Sequence, residues 1–265
     1  MLPALELNTE RESERIVAFI QREFDQAGFS RAVLGLSGGV DSALVAALAA
    51  QALGAEHVHV MMLPYCSSNP ESEAHARLMI DRWGFPYERF EITPVVEPLF
   101  ARDPKIDDRR KGNIMARTRM MALYDLSAAV RGLVLGTSNR TETLLGYFTL
   151  HGDGAAALKP IAHLYKCQVR ALARCLGIPQ VIIDKAPSAD LWAGQTDEGD
   201  LGFSYDEADQ ILYLLTEERL GAAQIAALGF DARVVAAVKA RLEAMAFKCL
   251  PPSTLTPNNL QGRIA

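Results

Sequence analysis

The stretch Ser37-Gly38-Gly39-Val40-Asp41-Ser42 decides the fold of this chain. It follows a short apolar run at 32–36 and precedes a helix-favouring run at 43–53. A strand that enters a glycine-rich turn and continues as a helix is typical of phosphate sites. The N–H groups of such a turn point inward, and the start of the helix adds partial positive charge. Glycines also let the backbone approach an anion closely. The stretch therefore predicts a phosphate-binding loop.

Asp41 is the unusual member of this loop. A carboxylate beside a phosphate repels it unless a cation lies between them, so we interpret Asp41 as a Mg²⁺ ligand. Ser37 and Ser42 offer hydroxyl donors. No lysine follows the glycines, which excludes the Walker pattern, and the spacing differs from the dinucleotide pattern G-x-G-x-x-G. The alternative is a glycine-rich turn that binds nothing.

The composition is that of an ordinary globular protein. Of the 265 residues, 49% are apolar and 22% are charged, and the formal net charge is −5. The negative balance disfavours broad nucleic-acid binding. The four cysteines form no C-x-x-C pair and show no zinc spacing. Because the sequence shows no secretory signal and no membrane span, we expect a cytoplasmic protein with no nucleic-acid or membrane partner.

Apolar periodicity and turn residues predict short strands that alternate with helices. The predicted strands are 31–36, 57–63, 87–92, 133–137 and 181–184. The predicted helices are 9–27, 43–53, 70–84, 113–130, 141–145, 163–176, 204–216 and 231–247. The polar segment 101–112 is expected to be a solvated loop, and the glycine-rich segments 146–159 and 186–203 are expected to be loops as well.

This alternation predicts an α/β fold: a five-stranded parallel doubly wound sheet with helices on both faces, which is a Rossmann-like arrangement. Ligands of such sheets bind beyond the carboxyl ends of the strands, where the strand order reverses. We therefore expect the loops 37–42 and 137–142 to face each other. A single domain over 1–250 is predicted because no linker interrupts the alternation, and a loose polar tail follows at 251–265.

The loop after the fourth strand carries two further candidates. The hydroxyl of Thr137 can reach a ligand, and Glu142 can share a Mg²⁺ ion with Asp41. The alternative for Glu142 is a solvated helix residue.

Two other segments add candidates farther along the chain. Lys159 and Lys166 flank the start of a predicted helix, and a lysine ammonium suits a leaving phosphate. The stretch Pro187-Ser188-Ala189-Asp190-Leu191 precedes a segment rich in Gly and Asp that could close over a ligand as a lid.

With these motifs in place, the chain resembles the ammonia-dependent NAD synthetases. S-G-G-x-D-S resembles the loop of the wider ATP pyrophosphatase superfamily, whose members split ATP between its α and β phosphates. G-N-x-x-A-R-x-R at 112–119 and P-[ST]-A-D-L at 187–191 narrow the resemblance to the family. The other matching stretches are Gly136-Thr137-Ser138-Asn139, Glu142, Leu145-Gly146-Tyr147-Phe148-Thr149, Gly152-Asp153, Gly194-Gln195-Thr196-Asp197-Glu198 and Leu201-Gly202-Phe203-Ser204-Tyr205.

The resemblance implies a reaction in two steps on a homodimer. ATP adenylates the nicotinate carboxylate of deamido-NAD and releases pyrophosphate, and ammonia then converts the acyl adenylate to NAD and AMP. It also implies roles for particular residues. The ATP-binding set is Gly35, Leu36, Ser37, Gly38, Gly39, Val40, Asp41, Ser42, Thr137, Lys166 and Ser188. The remaining implied roles are deamido-NAD binding by Arg117 and Lys248, Mg²⁺ binding by Asp41 and Glu142, and catalysis by Asp41 and Lys166.

The chain departs from one branch of the family at three places. Leu150-His151 stands where that branch has a lysine, Ala155–Ala157 replaces an aspartate, and Phe247 replaces a histidine. Shorter bacterial and archaeal members are more similar to this chain there. These departures concern the residues that would bind deamido-NAD rather than those that would bind ATP. Since the motifs begin at Ser37, we expect ammonia to be free or supplied by a separate protein.

Three alternatives stay open on the sequence alone. A tRNA thiolation or lysidine enzyme shares the loop but usually brings a basic surface or cysteine pairs. A GMP synthetase-like enzyme also uses ammonia, but its further motifs are not matched. A nucleotide-binding regulator without turnover would need the loop but not Glu142, Lys166 or the lid segment.

Overall fold

A parallel sheet forms the centre of the structure, a computed structural model that describes residues 1–192 and 194–254. Within that part of the chain the sheet has four strands in the order β3-β2-β1-β4, and all the pairs are parallel. The strands are β1 (Arg31–Gly35), β2 (Val58–Met62), β3 (Tyr87–Arg89) and β4 (Gly132–Val134). The α/β class with a parallel sheet is as predicted, but the sheet has four strands rather than five.

Helices follow and separate the strands. In chain order they are α1 (Thr9–Ala27), α2 (Val40–Leu53), α3 (Pro70–Trp83), α4 (Thr93–Phe100), α5 (Asp108–Val130), α6 (Arg140–Leu144), α7 (Lys166–Cys175), α8 (Gln180–Ile183), α9 (Asp197–Leu201), α10 (Tyr205–Thr216), α11 (Ala222–Ala227) and α12 (Ala232–Met245). Short 3₁₀ turns lie at Pro3–Leu5, Ala55–His57 and Ala246–Cys249. None of the helices described here is long and apolar enough to cross a membrane.

The predicted fifth strand at 181–184 is wrong, because this run forms the short helix α8. Pro179 precedes it and accepts a hydrogen bond from the N–H of Ile182 (2.9 Å). The position beside β4 is taken instead by Leu158, which makes a parallel bridge to Leu135. Ile182 and Ile183 are buried in the core in either case. A run of three apolar residues, 181–183, cannot distinguish a buried strand from a buried helix by its periodicity.

Other differences concern the limits of the elements. The third strand ends at Arg89 rather than 92, and the unpredicted helix α4 follows it. Helix α5 begins at Asp108, inside the predicted loop 101–112, and Asp107 caps it by accepting from the N–H of Arg110. Helices α9 and α11 were not predicted either. Of the predicted tail, 251–254 forms no helix or strand, and 255–265 lies outside the described residues.

The strand order places the two candidate loops together. The chain runs from β1 outward to β2 and β3, then returns to the free side of β1 as β4. In parallel register, Arg31 pairs with Gly132 and Val33 pairs with Val134. Both strands therefore end at the same sheet edge, and the reversal in strand order falls between them. Such a reversal opens a crevice beyond the carboxyl ends of the strands.

Two apolar clusters hold this edge in place. One joins the sheet to α1, α2, α7 and α8, and α2 carries apolar residues around its whole circumference because it is buried on all sides. The other unites the C-terminal helices α10, α11 and α12 with Leu5 and Leu145. Since α7 contacts both α2 and α10, its first residue lies where the two clusters meet.

Candidate functional site

The phosphate loop joins β1 to α2, and its shape depends on Gly38. This residue has φ +75°, and a Cβ placed there would lie 2.0 Å from the carbonyl oxygen of Ser72 in α3. The hydroxyl of Ser42 accepts from the N–H of Ser37 (3.2 Å) and donates to the carbonyl of Gly39 (3.0 Å). The first N–H groups of a helix have no intrahelical partners. Since no side chain caps the start of α2, these groups are available to an anion.

A buried lysine connects this loop to the loop after β4. The ammonium Nζ of Lys166 lies 2.6 Å from Oδ2 of Asp41 and 2.9 Å from Oε1 of Glu142. The side chain of Lys166 is 3% exposed, whereas those of Asp41 and Glu142 are 17% and 16% exposed. Lys166 also lies 5.0 Å from the ring centre of Tyr205, in cation–π range. The three residues that the sequence selected for catalysis and metal binding thus meet at one point.

Asn139 holds both carboxylates and was not among the predicted site residues. Its Nδ2 donates to Oδ1 of Asp41 (2.8 Å), while its Oδ1 accepts from the N–H of Glu142 (2.9 Å). The backbone N–H of Asn139 donates in turn to Oε2 of Glu142 (3.4 Å), and this second bond completes a capping box at the start of α6. Asn139 is completely buried. The sequence signal was an Asn three residues before a Glu.

A further carboxylate, which is buried in α10, fixes the position of the backbone at Lys166. Asp209 of α10 accepts from the hydroxyl of Thr141 (2.5 Å) and from the N–H of Cys167 (2.7 Å). The hydroxyl of Thr141 accepts from the N–H of Lys166 (3.0 Å). A negative charge at the start of α7 is favourable because the N–H groups there lack intrahelical partners. No local pattern in the sequence pointed to Asp209.

Burial and charge act in opposite directions on these groups. Burial alone would lower the pKa of Lys166, but the carboxylates of Asp41 and Glu142 outweigh it and raise the pKa above its ordinary value. Burial raises the pKa of Glu142 to about 7, opposed by Lys166 and reinforced by the negative charge of Asp41. Lys166 therefore stays charged, and the site favours a further cation beside the two carboxylates.

A cavity of about 1150 Å³ opens above this cluster. Most of the predicted site residues line it: Gly35, Leu36, Ser37, Gly39, Val40, Asp41, Arg117, Thr137, Glu142, Lys166, Ser188 and Lys248. Gly38 and Ser42 are not on its wall, and their contacts with Ser72 and Gly39 shape the loop from behind. The cavity is thus large enough for a nucleotide and joins residues from both halves of the predicted site.

The residues predicted for the second substrate lie toward α5 and the C-terminal end of α12. Nε of Arg117, an exposed residue, donates to the carbonyl of Leu150 (3.2 Å). Nζ of Lys248 donates to the carbonyls of Gly146 and Phe148, each at 2.7 Å. Burial lowers the pKa of Lys248, and nearby arginines add to the effect. Both residues thus position the loop that begins at Gly146.

The segment around Ser188 adds one residue, Asp197, that sequence reasoning did not assign a role. The hydroxyl of Ser188 donates to the carbonyl of Gln195 (2.8 Å) and closes a turn. Asp197, which is 5% exposed, lines the cavity. Its Oδ2 accepts from the hydroxyl of Tyr205 (3.0 Å), and its Oδ1 has no hydrogen-bond partner among the described residues. The only sequence signal for Asp197 was its place in a stretch that matched the family.

The donor set fits a Mg²⁺ ion that is shared with phosphate. Mg²⁺ usually takes one or two protein carboxylates together with phosphate oxygens and water. Asp41 and Glu142 supply two such carboxylates within reach of one ammonium. Across 1–192 and 194–254, no group of three or more His, Cys, Asp or Glu residues could hold a metal ion. The two carboxylates would therefore provide only part of a coordination shell, to which a nucleotide would add.

This arrangement defines an α/β protein whose glycine-rich loop after the first strand opens into a cavity at the edge of a parallel sheet. More specifically, it belongs to the NAD synthase family, whose model matches residues 12–252. The NH₃-dependent NAD⁺ synthetase of Trichlorobacter lovleyi is 50% identical over 244 residues, 92% of this chain and 89% of that protein.

Solved structures agree in fold over nearly the whole chain. An NH₃-dependent NAD synthetase from Campylobacter jejuni superposes with a TM-score of 0.81 at 32% identity, covering 95% of this chain and all of that one. An NMN synthetase from Francisella tularensis gives a TM-score of 0.84 at 31% identity, covering 96% of this chain and 100% of that one.

Proposed function

We propose that this protein is an ammonia-dependent NAD synthetase, which forms NAD, AMP and pyrophosphate from deamido-NAD, ATP and ammonia. The observation that carries the proposal is the meeting of Asp41 and Glu142 at Lys166, beneath the cavity and beside the phosphate loop. Membership of the NAD synthase family and the close relatives that carry this activity support it.

In the first step a carboxylate oxygen of the nicotinate attacks the α-phosphorus of ATP. The bond from that phosphorus to the bridging oxygen breaks, and pyrophosphate leaves with the electron pair. Negative charge grows on the leaving group, so donors placed in advance lower the barrier. The N–H groups of residues 37–42 and the start of α2 would supply such donors. Lys166 would add positive charge at the same edge.

Mg²⁺ is part of this proposal. When bound, it would neutralise phosphate charge and polarise the leaving group. Asp41 and Glu142 would hold it, since their carboxylates face the cavity from the two adjoining loops. Asn139 would keep the two carboxylates in register, because its Nδ2 donates to Asp41 and its backbone N–H donates to the carboxylate of Glu142.

In the second step ammonia attacks the carbonyl carbon of the acyl adenylate. AMP leaves with the electrons of the C–O bond, the nitrogen loses one proton, and the amide of NAD results. Water competes with ammonia for the adenylate, so the site must exclude it. Residues 187–192 and 194–201 would act as the cover, because Ser188 and Asp197 contribute to the cavity wall.

The two substrates would occupy different parts of the cavity. Thr137 and Ser188 would contact ATP near the phosphate loop, together with Gly35 and Leu36 at the end of β1. Arg117 and Lys248 would contact deamido-NAD. All of them line the one cavity, which supports a continuous site for two nucleotides.

We also propose a single catalytic domain over 1–250 with a separate tail at 251–265, and a homodimer as the working form. Exposed apolar side chains on α5 support the dimer: Met121 is 54% exposed and Tyr124 is 40% exposed. Apolar patches of this kind are typical of protein interfaces. The cytoplasmic location and the absence of nucleic-acid and membrane partners stay predictions.

A second candidate substrate follows from one comparison. The Francisella tularensis neighbour is described as an NMN synthetase, so a mononucleotide in place of the dinucleotide is the specific alternative. The phosphate loop and the carboxylate pair would do the same chemistry on either acid, because both carry the nicotinate carboxylate. The two differ in whether the cavity holds an adenosine besides that of ATP.

One assay tests these alternatives together. AMP release is measured with ATP, Mg²⁺ and ammonium, with either deamido-NAD or the acid mononucleotide as acceptor, and with glutamine in place of ammonium. We expect turnover with deamido-NAD and ammonium and much slower turnover with the mononucleotide or with glutamine. A preference for the mononucleotide would replace the proposed substrate, and no AMP with either acid would refute a synthetase.

A further inference from the structure

A second lysine lies near the phosphate loop, and the reaction described above does not use it. Lys185 follows α8 and lines the cavity. Its Nζ donates to the hydroxyl of Ser72 in the first turn of α3 (2.8 Å). The hydroxyl of Ser72 donates in turn to Oδ2 of Asp190 (3.1 Å). Lys185 therefore has a fixed position at the cavity edge.

The partner of this lysine is itself in contact with the phosphate loop. A Cβ on Gly38 would lie 2.0 Å from the carbonyl oxygen of Ser72 and 3.0 Å from its Cα. The backbone of the loop thus packs directly on Ser72, and the Lys185 ammonium is held one hydrogen bond beyond it. An anion on the loop would lie in a cavity whose wall includes both the start of α2 and Lys185.

The charge of Lys185 is incompletely compensated. Burial lowers its pKa, and the more distant carboxylates of Asp190 and Glu71 oppose this effect. Asp190 is already engaged, since it accepts from the N–H of Asn69 and the hydroxyl of Ser72. Lys185 forms no ion pair with a carboxylate inside the described parts of the chain. Lys166, in contrast, is paired with two carboxylates.

A half-buried ammonium without a carboxylate partner is stabilised strongly when a ligand brings a phosphate next to it. Charge-assisted hydrogen bonds to phosphate are stronger than neutral ones. Lys166 must share its charge with Asp41 and Glu142, so it offers less net attraction for phosphate than an ammonium without such partners. Lys185, one hydrogen bond from the residue on which the loop packs, is therefore a cation that remains available to a phosphate.

We propose that Lys185 is a binding residue for the β and γ phosphates of ATP and for the pyrophosphate that leaves. Its ammonium contacts the terminal phosphates, while the loop amides hold the phosphate oxygens closer to α2. The assignment rests on the proposed function only in naming pyrophosphate as the product, because ATP binding at the loop can be measured separately.

The test compares ligands that differ in their terminal phosphates. Lys185→Met is titrated by calorimetry with Mg²⁺ and the α,β-methylene analogue of ATP, with pyrophosphate, and with AMP. We expect roughly tenfold to a hundredfold weaker binding of the analogue and of pyrophosphate, with AMP unchanged. Lys185→Arg keeps the charge and should recover most of the loss. Lys105→Met, which removes an exposed lysine outside the cavity, controls for net charge.

A structural role for Lys185 would give a different pattern. If it served only to fix Ser72, Ser72→Ala would reproduce the loss seen with Lys185→Met, and AMP would weaken along with the analogue. Either result, or unchanged binding of the analogue, would overturn the proposal. Binding by the wild type without ammonium-dependent turnover would count against the proposed synthetase alone. Normal turnover together with unchanged binding in Lys185→Met would count against Lys185 alone.

Discussion

Asn139 donates a hydrogen bond from Nδ2 to Oδ1 of Asp41 over 2.8 Å, across 98 residues of sequence. This bond joins the loop after β4 to the loop after β1, so it spans the point at which the strand order reverses. The same side chain caps α6 through its Oδ1. One buried amide thus fixes the angle between the two loops and the separation of the two carboxylates that face the cavity.

Asn139→Asp separates these two tasks. Aspartate caps a helix about as well as asparagine, but it cannot donate to Asp41 and places a second negative charge against it. We expect the free energy of unfolding to fall by about 1–3 kcal/mol and adenylation to slow at least roughly tenfold. Urea denaturation and the rate of pyrophosphate release measure the two effects.

Asn8→Asp is the matched control for that variant. Asn8 caps α1 by accepting from the N–H of Arg11 (3.0 Å), and the structure gives it no carboxylate partner within the described residues. The change should therefore leave both stability and rate close to those of the wild type. An equal loss in the two variants would show that capping alone matters at Asn139.

Gly38→Ala tests whether the phosphate loop depends on its contact with α3. A Cβ at Gly38 would lie 2.0 Å from the Ser72 carbonyl, whereas nothing lies within 4 Å of one at Gly84, which has a similar φ of +73°. In Gly84→Ala the free energy of unfolding should fall only by the cost of a left-handed backbone at alanine, about 1–2 kcal/mol. In Gly38→Ala the free energy of unfolding should fall further, and the variant should bind ATP poorly. Equal destabilisation in thermal unfolding, with ATP binding retained, would contradict this account.

The sequence predicted the part of the site that depends on local patterns. The Ser37–Ser42 loop was found because a strand, two glycines and a helix start follow one another in the chain. Its position opposite Glu142 then followed from the rule for parallel sheets, which needs only the strand order. The same reasoning selected both residues that share the ammonium of Lys166.

The contacts that hold the site together were beyond the reach of such patterns. Asp209 lies 68 residues from Thr141 and Lys185 lies 113 residues from Ser72, and neither pair has a spacing that a periodicity could reveal. The strand predicted at 181–184 failed for a related reason: its three apolar residues at 181–183 are equally suited to a short helix. The neighbour of β4 was decided by the 157–158 segment, whose glycine-rich context favoured a loop.

Lys166→Met should destabilise the protein because it leaves two buried carboxylates without their common partner. Removing one member of a buried ionic group costs about 3–5 kcal/mol. Adding Glu142→Gln should recover part of that loss, since only Asp41 then remains charged. The free energies of unfolding of the two single variants and the double variant give the coupling directly.

An exposed ion pair provides the control for this cycle. Lys239 and Glu243 lie 3.3 Å apart on α12 with side chains 45% and 64% exposed, and Lys239→Met should change stability by only about 0.3–0.5 kcal/mol. If Lys166→Met were equally mild, the ammonium would not be holding the two carboxylates together.

Asp41→Asn should abolish most of the turnover without unfolding the protein, because Lys166 keeps its bond to Glu142. If Asp41 holds Mg²⁺ as proposed, its loss should slow adenylation by at least about a hundredfold and raise the Mg²⁺ concentration needed for half-maximal rate. Asp125→Asn, an exposed change on α5, should alter neither quantity. A near-normal rate with an unchanged Mg²⁺ requirement would remove Asp41 as a metal ligand.

Arg117→Ala tests the division of the cavity between its two substrates. Nε of Arg117 on α5 donates to the carbonyl of Leu150 (3.2 Å). Removing a guanidinium that binds an anionic substrate should raise the KM for deamido-NAD roughly tenfold or more, with little change for ATP. Arg110→Ala on the same helix removes an exposed arginine that pairs with Asp103 and should leave both KM values unchanged. Equal increases for ATP and deamido-NAD in Arg117→Ala would mean that the arginine supports the site as a whole rather than one half of it.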